Sequence, residues 1–203
     1  PGKTNLMLGN RVDRIAISFK EAEQYFPRER TFLAGNPVRS EYHQLDRSEL
    51  RKNLNLSDTQ KMILIMGGSQ GAGSINHSAL SLIASYKDRD DRLIYHLTGK
   101  DQYESIKKEV ENLGLSPSGH VFVEAFSNEV HRLLGAADLV ISRSGAMSVA
   151  EIEAAFGQQP DRRIGHRLAL VHAGNRAHDG QTQAVVALPM AASRICPEKP
   201  VKQ

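Results

Sequence analysis

A run of five apolar residues followed directly by glycines is the clearest hydrophobic pattern in the chain. The apolar run is MILIM at residues 62–66, and the glycine-rich turn after it is GGSQGAGS at residues 67–74. Five apolar residues without alternation are too few for a helix and are typical of a parallel strand buried on both faces. Because residues 74–86 predict a helix, the chain turns sharply from a central strand into a helix here.

The glycine-rich turn is a candidate for binding an anion. Glycine has no Cβ, so backbone N–H groups can approach a phosphate closely, and the next helix would place its positive end nearby. The turn contains neither the order G-x-G-x-x-G nor the Gly-Lys-Ser/Thr ending of a P-loop. On local sequence alone, a phosphate cradle and a purely structural tight turn are equally good interpretations.

Predicted strands and helices alternate after residue 62, which indicates an α/β fold with a Rossmann-like parallel sheet flanked by helices. A second turn of small residues, SRSGAMS at 142–148, leads from the last of these strands into a helix. Both turns follow the carboxyl ends of strands and could hold two parts of one ligand. Strands are predicted at 62–66, 92–97, 120–123 and 139–142, and helices at 74–86, 102–113, 128–136 and 146–155.

The residues on either side of this alternating region are less regular. Before it, strands are predicted at 14–19 and 31–34, a helical turn at 20–26 and a helix at 46–53, and GNPVR at 35–39 predicts a hinge because proline restricts its neighbour. After residue 155 the periodicity degrades. Residues 168–171 suit a short strand, and 184–192 form an apolar stretch.

Composition and charge indicate an ordinary globular protein. The chain has 203 residues, is 40% hydrophobic and 24% charged, and carries a formal charge of +3 with dispersed basic residues. Cys196 is the only cysteine, which excludes an intrachain disulfide and favours a reducing compartment. No apolar run approaches the roughly 18 residues of a membrane span. We therefore expect a cytoplasmic protein.

Four motifs, in the same order, resemble the MurG family: PGKTN at 1–5, GNPVR at 35–39, GGSQGA at 67–72 and AADLVISRSGAMSVAE at 136–151. That family transfers N-acetylglucosamine from UDP-GlcNAc to lipid I, undecaprenyl-pyrophosphoryl-MurNAc-pentapeptide, and so makes lipid II for peptidoglycan. The resemblance implies the donor-binding half of a GT-B glycosyltransferase. It implies that 1–40 are a remnant of the acceptor domain with the hinge, 41–155 the UDP-sugar domain, and 156–203 an atypical tail.

The resemblance also implies a UDP-GlcNAc site. It gives the diphosphate to the glycine-rich turn, the uracil to the backbone of Ser127, and the ribose hydroxyls to Glu151. The local pattern alone favours another role for Glu151, a helix-dipole interaction in the first turn of its helix. The implied contacts are Asn5, Arg39, Gly68, Ser69, Gln70, Gly71, Ser127, Ala146, Met147, Ser148, Val149, Ala150 and Glu151.

The implied reaction is an inverting transfer in which UDP departs and its charge is stabilised by Arg39, backbone N–H groups and a helix dipole. The catalytic residues are unknown and are expected in the family's amino-terminal half, which this sequence lacks. The same half would bind lipid I and contact the inner face of the cell membrane peripherally. We expect no cofactor, metal or nucleic acid, and a chain that holds the donor but is inactive alone.

Several alternatives remain open. Another UDP-sugar GT-B enzyme, such as a diacylglycerol glucosyltransferase or a UDP-GlcNAc epimerase, would share this build. A non-catalytic truncated fragment is the second alternative. A nicotinamide-binding domain is the third, and the absence of the dinucleotide fingerprint weakens it. The tail lacks the family's Gly-Leu-Pro turn and its His-Gln pair, which a frame change, a truncated gene or divergence would each explain.

Overall fold

The computed structural model describes residues 1–86, 89–115 and 119–157, together with the backbone of 169–172 and 184–187. The chain divides into two compact units, Pro1–Arg39 and Ser40–Gln203. The functional assignment of residues 1–40, 41–155 and 156–203 to separate domains stays a prediction.

The unit Pro1–Arg39 contains one helix and a small parallel sheet. Helix α1 spans Lys3–Gly9, and strands β1 (Ile15–Ile17) and β2 (Thr31–Leu33) pair in parallel. Two 3₁₀ helices, Lys20–Tyr25 and Arg28–Arg30, connect the strands. The two predicted strands and the helical turn between them are confirmed, whereas α1 was not predicted.

The unit Ser40–Gln203 is a six-stranded sheet with helices, and its strand order is β5-β4-β3-β6-β8-β7. Strands β3 to β6 are mutually parallel, β8 runs antiparallel to β6, and β7 runs antiparallel to β8. The elements are a 3₁₀ helix at Ser40–His43, then α2 (Arg47–Asn53), β3 (Lys61–Met66), α3 (Gly73–Tyr86), β4 (Arg92–Leu97), α4 (Tyr103–Asn112), β5 (Val121–Glu124), α5 (Val130–Ala136), β6 (Leu139–Arg143), α6 (Ala146–Gly157), β7 (Ala169–His172) and β8 (Ala184–Ala187).

The predicted fold class is confirmed, and the nine helices and strands predicted between residues 46 and 155 are present with end shifts of one or two residues. The short strand predicted at 168–171 corresponds to β7, and the apolar stretch at 184–192 supplies β8. The two added strands run antiparallel at one side of the otherwise parallel sheet.

The main core lies between the sheet and the helices α3 and α4. Residues 62–66 of β3 are all buried, which confirms the prediction of a strand covered on both faces. Alternate residues of the sheet point toward α3 and α4, as the two-residue period of a strand requires. The cluster comprises Ile63, Ile65, Ile94 and Val121 of the sheet, Ile75, Ala79, Leu80 and Ile83 of α3, and Ile106 and Val110 of α4, with Ala72 and Leu115.

The helix α4 ends at a glycine after its last turn. Gly114 has a φ of +67°, the left-handed conformation that glycine adopts without steric cost. Its N–H donates to Glu111 O at 2.9 Å, and Leu115 N–H donates to Val110 O at 3.0 Å. This is a Schellman motif, and it satisfies the carbonyl groups that the end of a helix leaves without partners.

A buried ion cluster joins α2 to the amino-terminal edge of the sheet. The Asp138 carboxylate accepts hydrogen bonds from Arg47 Nη2 at 2.7 Å, from Arg51 Nη1 at 3.0 Å and from Met62 N–H at 2.8 Å. Arg51 also donates to Gln60 O at 2.6 Å. The cluster therefore fixes the start of β3, at the opposite edge of the sheet from the glycine-rich turn.

The strand order creates a crevice at the carboxyl ends of β3 and β6. After β3 the chain moves outward through β4 and β5, and it then crosses back to place β6 on the other side of β3. Met66 and Ser142 are register partners, so the turns after both strands leave the same edge side by side. Open parallel sheets bind ligands at such a point of reversal, which makes this crevice the first place to look for a site.

Candidate functional site

The glycine-rich turn has a backbone that requires glycine at two positions. Gly68 has a φ of +92° and Gly71 a φ of +81°, both in the left-handed region, and Gly71 N–H donates to Gly68 O at 3.0 Å. Ser69 and Gln70 lie exposed at the tip of the turn. The four predicted contact residues of this turn therefore lie together in one tight reversal that presents backbone and a hydroxyl to solvent.

This turn packs directly against the loop that follows β4. A Cβ built on Gly71 would lie 2.1 Å from Thr98 O, and one built on Gly99 would lie 2.2 Å from Gly71 N. Gly99 also has a positive φ of +84°. Only glycine allows the two backbones to approach so closely, so the turns after β3 and β4 form one packed layer at the carboxyl edge.

A buried hydrogen-bond network lies where α3 leaves the glycine-rich turn. Asn76 is fully buried in the first turn of α3. Its Nδ2 donates to Thr98 O at 2.9 Å and to Gln102 Oε1 at 2.8 Å, and its Oδ1 lies 2.9 Å from His96 Nε2. Each polar atom of the Asn76 amide thus has a partner, as buried polar groups require.

His96 is neutral in this network. Burial lowers the pKa of His96 to about 4, because the charged imidazolium loses its hydration. Since Asn76 Oδ1 can only accept, His96 Nε2 carries the proton and donates it. The other ring nitrogen, Nδ1, is buried and has no hydrogen-bond partner within the described part of the chain.

The second turn of the crevice leads into α6. Val149 N–H donates to Gly145 O at 2.9 Å, so α6 begins at Ala146 with its first turn facing the crevice edge. Met147 is 41% exposed. The predicted contacts of this region are all in α6, as Ala146, Met147, Ser148, Val149, Ala150 and Glu151.

The prediction that Glu151 lies in the first turn of its helix is wrong. Helix α6 spans Ala146–Gly157 and has no acidic residue in its first turn. Glu151 lies in the second turn, where the effect of the helix dipole on a carboxylate has fallen off. The helix-dipole role therefore loses its basis, whereas the predicted role toward ribose hydroxyls stays a prediction.

Ser127 lies in the loop between β5 and α5, and its side chain is already engaged. Its Oγ accepts a hydrogen bond from Glu129 N–H at 3.1 Å, which leaves its backbone for the predicted uracil contact.

A pocket of about 230 Å³ lies beside Ser127. Burial and a hydrogen bond with Glu124 raise the pKa of Tyr95, so its hydroxyl remains protonated. The pocket is lined by Leu50, Asn53, Leu54, Tyr95, Ser127, Glu129, Arg132 and Leu133.

The other two predicted contacts, Asn5 and Arg39, lie outside the unit Ser40–Gln203 that contains the crevice. Asn5 is an exposed residue of α1, and Arg39 is the exposed last residue of the unit Pro1–Arg39. The structure thus places the glycine-rich turn and the start of α6 at the same edge of the sheet, after the neighbouring strands β3 and β6. For Asn5 and Arg39 the predicted ligand contacts stay predictions.

Sequence reasoning missed the polar groups beneath the turn. His96 and Gln102 lie 20 and 26 residues after Asn76 along the chain, and the three match no motif. One signal was present, because His96 interrupts the apolar strand RLIYHL, and a polar residue in a buried strand requires a partner. Lys100 was also missed. Its Nζ lies 5.1 Å from the centre of the Phe126 ring at the same edge of the sheet.

The described residues contain no group of three or more histidine, cysteine, aspartate or glutamate side chains that could hold a metal ion. Within the same part of the chain, no helix has both the length and the apolar character that crossing a membrane requires.

A protein-family model and several known proteins match the part of the chain that contains the crevice. Residues 62–158 match the model of the glycosyltransferase family 28 C-terminal domain. A relative from Halalkalibacterium halodurans is 38% identical over 154 residues, which are 76% of this chain and 42% of the relative. One from Acetivibrio thermocellus is 37% identical over 155 residues, 76% of this chain and 41% of the relative. Both are named UDP-N-acetylglucosamine–N-acetylmuramyl-(pentapeptide) pyrophosphoryl-undecaprenol N-acetylglucosamine transferase.

Among solved structures, the crystal structure of Acinetobacter baumannii MurG matches with 24% identity and a TM-score of 0.47, covering 77% of this chain and 41% of that chain. The chain thus spans about two fifths of the length of the curated relatives that it matches.

Proposed function

We propose that the chain, whose residues 62–158 match the model of the glycosyltransferase family 28 C-terminal domain, binds the nucleotide-sugar donor UDP-GlcNAc. The resemblance of the sequence to the MurG family is confirmed by curated relatives 37 and 38% identical over 76% of the chain. The observation that carries the proposal is the crevice between β3 and β6, because the glycine-rich turn and the start of α6 follow the carboxyl ends of these two neighbouring parallel strands.

The glycine-rich turn suits the diphosphate. Its exposed tip offers the Ser69 hydroxyl and backbone N–H groups, and α3, with 14 residues, begins at Gly73 with its positive end toward the same edge. Oriented N–H groups and a helix N-terminus stabilise anions without any ordering cost at the moment of binding. In a transfer reaction the same groups would stabilise the charge that develops on the departing UDP.

The first two turns of α6 suit the sugar side of the donor. The small residues Ala146, Ser148 and Ala150 allow a ligand to approach the helix closely. Glu151 is partly exposed in the next turn, and its carboxylate is an acceptor for the ribose hydroxyls. The uracil would then lie at the loop that contains Ser127, contacted through backbone groups.

The whole reaction is proposed from the names of the relatives. It is the transfer of N-acetylglucosamine to undecaprenyl-pyrophosphoryl-MurNAc-pentapeptide, an inverting hexosyl transfer that supplies lipid II for peptidoglycan and thus for cell-wall growth. The acceptor, the catalytic base and the peripheral contact with the inner face of the cell membrane belong, in this proposal, to the part of the relatives that the chain does not span. The chain alone would bind donor without turnover.

Isothermal titration calorimetry on the whole chain tests the donor proposal. We expect binding of UDP-GlcNAc and no binding of NADH, because the turn lacks the dinucleotide fingerprint. Binding of NADH without a response to UDP-GlcNAc would overturn the proposal. A parallel titration with UDP-glucose separates UDP-GlcNAc from the donors of other GT-B enzymes, since a preference for UDP-glucose would assign the chain to a different transfer.

A further inference from the structure

We propose that Asn76 is a positioning residue that holds the glycine-rich turn in the conformation needed for the anionic part of a ligand. The inference rests on the proposed function, because it assigns the diphosphate to this turn. Asn76 itself is fully buried and does not reach the ligand. Its effect would pass through the backbone of the turn.

The first argument is the place of Asn76 in the chain. It lies in the first turn of α3, and its own N–H donates to Ala72 O at 2.9 Å, so it is joined to the last residues of the glycine-rich turn. A shift of the Asn76 backbone must therefore move Ala72. The turn can adopt a single position only if the start of α3 is held laterally as well as along its axis.

The second argument is the set of partners that provides this lateral hold. Asn76 bonds to β4 through His96, to the loop after β4 through Thr98 O, and to the start of α4 through Gln102. The Gln102 amide also lies against Gly73, since a Cβ built on Gly73 would be 3.8 Å from Gln102 Oε1. One amide thus connects β4 and the starts of α3 and α4.

The third argument is that the backbone contact alone does not provide the hold. Gly71 and Gly99 approach closely, but neither has a side chain to hold the other. Among the described residues, no backbone hydrogen bond joins them. Such a contact prevents the two loops from moving closer to each other, but it does not prevent them from moving apart. The hydrogen bonds of Asn76 oppose separation, so contact and network together define one position.

The experiment compares ligands with and without a diphosphate. On the whole chain, affinities for UDP and for uridine are measured by calorimetry for the wild type, Asn76→Ala and Gln102→Ala. We expect Asn76→Ala to weaken UDP binding about tenfold, the equivalent of one lost or misaligned charge-assisted hydrogen bond. Uridine binding should change less than twofold. Gln102→Ala, at a half-buried position, should fold normally and weaken UDP binding by a smaller factor in the same direction.

A destabilised variant outside the network is the matched control. Val110 of α4 is 5% exposed in the main core, and it belongs neither to the glycine-rich turn nor to the hydrogen-bond network of Asn76. Val110→Ala should lower stability while leaving the ratio of UDP to uridine affinity unchanged. An equal loss of affinity for both ligands in Asn76→Ala, or no loss for either, would overturn the positioning role.

A ligand-free measurement separates this inference from the proposed function. The Gly71 N–H is bonded to Gly68 O, so its hydrogen exchange reports the closed turn. We expect this amide to exchange at least tenfold faster in Asn76→Ala than in Val110→Ala. If the wild type binds neither UDP nor UDP-GlcNAc, the proposed function is wrong. If Gly71 is equally protected in both variants, the positioning role is wrong whatever the ligand.

Discussion

Removal of the Asp138 carboxylate should destabilise the protein strongly. Asp138 is 6% exposed and is the common acceptor for Arg47, Arg51 and the N–H of Met62. In Asp138→Ala, the Met62 N–H lies at the start of a buried strand without an acceptor, which costs about 1–3 kcal/mol. The guanidinium of Arg51, at 7% exposure, also loses its counter-charge, although it keeps carbonyl partners at Ser57 and Gln60.

Together these losses predict a destabilisation of about 3–5 kcal/mol, the usual cost of breaking a buried ion pair from one side. For a chain of this size that corresponds to a fall of about 10 °C in the melting temperature. Urea unfolding followed by circular dichroism at pH 7 measures the free energy directly. Because Asp138 lies at the opposite edge of the sheet from the crevice, the affinity for UDP-GlcNAc measured well below the transition should not change.

A second aspartate provides the matched control. Asp91 also faces two arginines, with Arg89 Nε at 2.9 Å and Arg92 Nε at 3.6 Å, but Asp91 and Arg89 are about half exposed. Water and salt screen such a pair, so Asp91→Ala should leave the unfolding free energy within experimental error of the wild type. If Asp138→Ala were no more destabilising than Asp91→Ala, the reasoning from burial would be refuted.

Three further predictions concern the crevice. Gly71→Ala should be much more destabilising than Gly114→Ala in urea unfolding. Both positions have a positive φ, but only a Cβ on Gly71 would meet a backbone atom, Thr98 O at 2.1 Å. Equal losses of unfolding free energy would contradict this close contact. Since the unfolded His96 takes up a proton near pH 6.5 and the folded one only near 4, stability should be complete above about pH 6.5 and fall toward pH 4. The loss should reach about 3 kcal/mol, and a His96→Gln variant with the same pH slope of unfolding would exclude His96 as its source. We expect Ser69→Ala and Glu151→Ala to weaken UDP-GlcNAc binding in calorimetry. The control variants Ser78→Ala and Glu153→Ala change exposed residues of α3 and α6, and they should not weaken it. Unchanged affinity in the first pair would remove Ser69 and Glu151 from the site.

The sequence was sufficient to predict the elements that build the sheet. The stretches at 62–66, 92–97 and 139–142 are predominantly apolar over a strand length, and glycines follow where those strands must turn, so composition locates them. The ending of α4 at Gly114 is equally local, since a left-handed residue after a helix favours glycine. Helix α1 was missed because it lacks the usual start signals: no side chain caps it at Gly2 and its first turn has no acidic residue, whereas Asp46 caps the equally short α2.

The place of the candidate site was also predictable in part. A parallel sheet brings the carboxyl ends of its strands to one edge, so the turns at 67–74 and 142–148 had to lie on the same side of the molecule. That they are neighbours depends on the strand order, in which β6 pairs with β3. The position of Glu151 was misjudged because a helix that begins at Ala146 completes its first turn before that residue.

The sequence by itself determined the local conformations: which segments are strands or helices, and which positions require glycine. These follow from interactions among residues within a few positions of one another. Only the tertiary structure decided which polar groups meet. Asn76 finds His96 and Gln102, and Asp138 finds Arg47 and Arg51, across separations of 20 to 91 residues. Such pairs form because packing the sheet buries their polar atoms together, and no periodicity along the chain records that encounter.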